Sequence, residues 1–190
     1  MSPQVVASLV SGIPALGGYQ NVANDSTDSA ADGSVALKIP TTCGKSLGNG
    51  ESGAGGSEEK FNGSYAYVEY QLDQGNGNYQ VVQLSAAQLD DSESAKTYLN
   101  DVRQLVQKCK GDVDGIPTTV APVTLATPAG ADELVANDFG KGADRHISHV
   151  LIRVDRLILD VFVNPSEYPQ SLQTIVDQFW SNFQATQGAS

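Results

Sequence analysis

The sequence predicts an α+β domain: an antiparallel sheet of about five to six strands with helices packed mainly on one face, and one disulfide. Three observations carry that reading. Two stretches, Tyr65–Leu84 and Ile147–Val163, alternate apolar and polar residues on either side of a short turn, as hairpins do. Two others, about 92–108 and 169–184, repeat apolar residues at helical spacing. Strands joined by short turns, with helices between and after them, describe an antiparallel sheet.

In chain order, residues 2–11 predict a short helix, with Ser2 as cap, Pro3 in the first helical position and Val5, Val6, Leu9 and Val10 at helical spacing. Pro14, Gly17 and Gly18 end it. Residues 19–35 are rich in Asn, Asp, Ser, Thr and Gly and read as an irregular surface loop, and Gly44–Gly63 is rich in Gly and Ser. The stretch 19–63 is therefore expected to be largely irregular, within a single domain spanning 1–190.

The first hairpin places Ala66, Val68, Tyr70 and Leu72 on one face, and Asp73–Asn78 supplies residues tolerant of positive φ. The first long helix runs from Ser92 to Lys108, capped by Asp91 or Ser92. Its stripe is Ala95, Tyr98, Leu99, Val102, Leu105, Val106 and Cys109, and Gly111 stops it. Pro117, Pro122 and Pro128 push any strand at Val120–Leu125 to an edge. Leu134–Phe139 reads as a short strand. The second hairpin turns at Asp155-Arg156, and the last helix carries Leu172, Ile175, Val176, Phe179 and Phe183.

The chain holds 22 acidic against 11 basic residues, a net charge of −11. Without a basic cluster, a nucleic-acid partner is excluded as an expectation. No apolar run approaches the ~20 residues of a membrane span. Cys43 and Cys109 are the only cysteines. An even count suggests an oxidising compartment, with a pair of buried thiols as the alternative. A bridge would close a loop of about 66 residues, worth about 4 kcal/mol. The start, Met1-Ser2-Pro3, has neither a basic segment nor a cleavage site, so a secreted reading takes the targeting segment as already removed.

Cys109 ends an Ala- and Leu-striped helix after a hairpin. A Pro-rich span follows, and then His149–Val163 leads into the C-terminal amphipathic helix. This arrangement resembles the PknH-like extracellular sensor domain family of actinobacterial receptor kinases and lipoproteins, over roughly residues 61–185. The resemblance implies an extracytoplasmic, ligand-sensing, non-catalytic domain, secreted or at the cell surface, with a cleft between sheet and helices. It implies no cofactor. Its partner would be a small molecule, a cell-wall fragment or an envelope protein.

Several literal motifs fail on context. Gly48–Gly53 spells a dinucleotide fingerprint with no strand before it, and Gly44-Lys45-Ser46 lacks the first glycine of a phosphate loop. Asp112–Gly115 is a fragment of a calcium loop. His146 and His149 point to opposite faces of a strand, so no metal site is expected. A richer surface is the sheet's second face, to which alternation assigns Tyr65, Tyr67, Glu69, His149, Leu151, Arg153, Ile158, Asp160 and Phe162. Tyr65, Tyr67, His149, Arg153, Asp160 and Phe162 are the candidate ligand contacts, mixing aromatic and charged groups as recognition sites do. Two alternatives are a secreted hydrolase using His149 with a carboxylate such as Asp144 or Asp160, and a purely structural envelope protein.

Overall fold

The computed structural model describes residues 9–10, 19–28, 36–38, 58–60, 64–108, 111–113, 116–141, 146–164 and 171–188. Strands β1 (Gln20–Asp28), β4 (Ser64–Gly75), β5 (Asn78–Gln88), β6 (Gly111–Val113), β7 (Ile116–Pro122), β8 (Glu133–Lys141), β9 (His146–Val154) and β10 (Leu157–Asn164) form one sheet. The short strands β2 (Ala36–Lys38) and β3 (Glu58–Lys60) pair separately. Helix α1 spans Ser92–Lys108 and α2 spans Leu172–Gly188. The order across the main sheet is β1-β4-β5-β10-β9-β8-β7-β6. Every pairing in it is antiparallel. The two predicted hairpins adjoin through β5 and β10, with Leu84 opposite Val161.

Both hairpin turns follow from their residues. Gly75, Asn76 and Gly77 all take positive φ, at 84°, 56° and 76°, which Gly and Asn adopt at little cost. At the other turn Asp155 has φ 53°, and its backbone N–H donates to Asp132 Oδ2 at 2.6 Å. Asp91 is the cap of α1: its Oδ1 accepts from the Ser94 N–H at 2.7 Å, which lowers the carboxyl's pKa. Ser171 caps α2, accepting from the Thr174 N–H at 3.2 Å, so that helix begins at Leu172, three residues later than Pro169.

The first face carries the larger core. Ala66, Val68 and Tyr70 meet Val82, Leu84 and Ala86, then Leu159, Val161 and Val163, then Val150 and Ile152, all at most 2% exposed. Helix α2 covers them with Ile175, Val176, Phe179, Trp180 and Phe183. Leu9, Val10 and Tyr19 join the same core, and the Tyr19 hydroxyl donates to the buried side chain of Gln80.

Two expectations are corrected here, and a third holds in part. The sheet has eight strands among the described residues, not five to six. Part of the difference is β1, which lies in the stretch expected to be irregular. It pairs with β4 at an edge, where backbone hydrogen bonds suffice and no apolar alternation is needed. The helices also lie on both faces. Helix α1 packs Ala95, Tyr98, Leu99 and Val102 against Ala87, Leu89, Val135, Leu151 and Ile158, on the face opposite α2. The run Leu157–Val163 explains this, since it is apolar at both alternations apart from Asp160 and so needs cover on both sides. Finally, β7 has β6 on one side and β8 on the other. Among the described residues only Thr118 pairs with both, while Thr119–Pro122 pair with β8 alone, in keeping with the edge prediction for that segment.

Cys43, Cys109, Asp144 and nearly all of residues 2–11 and 44–63 lie outside the described residues, and with them the disulfide.

Candidate functional site

Antiparallel register fixes which residues share the second face. One cross-strand row runs Tyr67, Ser85, Asp160, Leu151, Val135, and the next runs Glu69, Gln83, Phe162, His149, Asn137. Helix α1 covers the apolar part of this face, around Leu151 and Ile158. Beside that cover the rows become more polar, with Ser85 7% and Asn137 3% exposed around the buried ring of Phe162. Glu69 and Gln83 are half-buried, and Glu69 accepts from Gln71 Nε2 at 3.1 Å.

Two candidates meet directly. His149 Nε2 lies 2.8 Å from Asp160 Oδ1, with side chains 14% and 22% exposed. Burial pushes the imidazole towards its neutral form, but the Asp160 charge and hydrogen bond outweigh it, so the His149 pKa is raised. Phe162 stands opposite His149 in the ladder. Positions 65 and 67 pair with Ala87 and Ser85 in the backbone register, while the side chains of Tyr65 and Tyr67 lie outside the described residues.

Arg153 stands apart from this group. It is 7% exposed, its Nε donates to Glu133 Oε2 at 3.3 Å, and its Nη1 donates to Asp132 Oδ2 and to the Asp155 carbonyl. Arg103 of α1 joins the same carboxylate, Glu133. Burial pushes Glu133 up, yet hydrogen bonds and charge from Arg103 and Arg153 overrule it and hold the carboxyl below its ordinary value. The cluster fastens α1 to β8, β9 and the Asp155 turn.

Sequence reasoning missed Ser85 and Asn137. Asn137 Nδ2 is buried with no hydrogen-bond partner among the described residues. A signal existed in the polar residue closing the run Leu134-Val-Ala136 on a buried strand. Among the described residues, no three His, Cys, Asp or Glu side chains group as a metal would require. No described helix is long and apolar enough to cross a membrane.

These features define an α+β domain in which an antiparallel sheet carries one long helix on each face and a polar stretch beside the second. The fold is similar to that of the extracellular domain of PknH from Mycobacterium tuberculosis. The two match over 99% of this chain and 97% of that one, with a TM-score of 0.61 and 11% sequence identity. At that identity the likeness is one of fold. An uncharacterised Mycobacterium smegmatis protein matches at TM-score 0.45 and 12% identity over 88% of this chain and 87% of its own, too slightly to argue from. No protein-family model matches the chain, and no curated protein matches it.

Proposed function

We propose that this chain is one extracytoplasmic ligand-binding or sensing domain, non-catalytic, belonging to a secreted or lipid-anchored cell-envelope protein. The observation that carries this reading is the polar second-face stretch around Tyr67, Ser85, His149, Asp160 and Phe162, beside α1, in a fold shared with an extracellular sensor. The ligand would be a small molecule, a wall fragment or an envelope protein, and it would approach past the described edge of α1. A thermal-shift screen with soluble muropeptides as the first probe tests it. Binding should raise Tm in the wild type and in Arg153→Met, and the rise should be lost in Tyr67→Ala. A rise that survives in Tyr67→Ala places the site elsewhere.

The same reading joins Cys43 to Cys109 in a disulfide, tying the Gly-rich segment to the end of α1. Intact-mass measurement of native material should show two hydrogen atoms fewer than the reduced chain. Two free thiols would remove this support for an oxidising compartment.

The hydrolase alternative draws on the His149–Asp160 contact. The ladder sets Ser85 opposite Asp160 rather than opposite His149, so the imidazole has no hydroxyl as its direct cross-strand neighbour.

A further inference from the structure

We propose that the His149–Asp160 pair makes the proton an input to this domain: the charged pair ties β9 to β10 beneath the second-face stretch in acidic surroundings and releases as they turn alkaline. The inference rests on the extracytoplasmic reading above, since ambient pH varies outside the cell, but the pairing belongs to the chain itself.

The geometry isolates this pair. β9 and β10 lie in the middle of the sheet, and the two side chains are largely buried at 2.8 Å on one face. Among the described residues the nearby cations are already engaged, Arg153 with Asp132 and Glu133, and Arg103 of α1 with Glu133. At the start of α1, Lys96 pairs with Glu93. From β8 the cross-strand neighbour is the neutral Asn137, and Asp138, one position on, faces the other way. From β5 come Gln83 and Ser85, both neutral, and from β4 comes Glu69, two strands further along the same row. Asp160 is therefore the anion that answers the imidazolium.

The direction follows from linkage. A histidine whose folded pKa lies above its ordinary 6.5 adds stability that is fully present below 6.5 and is lost as pH rises through the folded value. Protonation then adds a charged contact to the backbone ladder of the two central strands, and its loss leaves a partly buried carboxylate facing a neutral ring. The rows beside α1 loosen at that point.

The chain has two histidines, so ring-proton NMR titration of the ligand-free protein, with His146→Gln for assignment, reads His149 directly. We expect a midpoint above 6.5, falling below 6.5 in Asp160→Asn, where burial acts unopposed. Between about pH 5.5 and about pH 8.5, the wild type should lose about 2–4 °C more in Tm than His149→Gln does. The variant subtracts the general effect of a net charge of −11. A midpoint at or below 6.5, a midpoint unmoved by Asp160→Asn, or equal pH slopes in wild type and His149→Gln would each overturn the proposal. Because no ligand is present, failure of the proposed binding site leaves this result standing, and the reverse also holds.

Discussion

The two faces of the sheet solve the same burial problem in different ways. Beneath α2 the first face is apolar across four adjacent strands, from Val68 through Leu84 and Val161 to Val150, each at most 1% exposed. Beneath α1 the second face is apolar only around Leu151 and Ile158, and then gives way to His149, Asp160, Asn137 and Ser85. An unbroken apolar row of this kind maximises burial. An interrupted one gives up some of that stabilisation and keeps polar groups within the packed rows. On the reading proposed above, the contrast would put stability on one side of the molecule and responsiveness on the other.

The sharpest way to break this division is to open a cavity on each side. Phe179→Ala, at a fully buried site under α2, should cost about 3–5 kcal/mol and lower the global melting transition. Leu99→Ala under α1 should cost about 2–4 kcal/mol, with hydrogen exchange accelerating in α1 before the rest. Equal global loss of protection in both variants would mean the faces unfold as one unit and the division is only geometric.

A smaller effect sharpens it. Arg153→Met keeps the aliphatic bulk but removes the cation shared by Asp132 and Glu133, and should cost about 1–3 kcal/mol. Glu133 is held below its ordinary value by both arginines, so its contribution is present above that value and is lost as pH falls through the lowered folded one. In the variant, acid unfolding measured by circular dichroism should begin at higher pH. An unchanged acid arm would show that Arg103 alone sustains the carboxylate.

Much of this fold was legible in sequence because its patterns are local. The α1 boundaries, the two hairpins and the inward residues Ala66, Val68, Ile152 and Leu159 all follow from periodicity. Helices on both faces were legible in principle, since Leu157–Val163 is apolar at both alternations, but that reading needs the strand's central place in the sheet. Strand β1 was hidden for a different reason: an edge strand of Asn, Asp, Ser and Thr is held by backbone bonds that leave no side-chain signature. At the candidate site, the face of His149, Asp160 and Phe162 could be read from alternation. The contact between His149 and Asp160 could not, because it depends on a register set by the whole ladder. Arg153 shared that face, yet its acids Asp132 and Glu133 come from a different strand and its approach, so its role became visible only in three dimensions.

The far end of the sheet carries one more consequence. Strand β6 is three residues long, and its neighbour β7 contains Pro117 and Pro122, neither of which has an amide hydrogen to offer. An incoming strand from another molecule would find a short, gapped template there. The border that β7 would otherwise present is blunted against edge-to-edge aggregation.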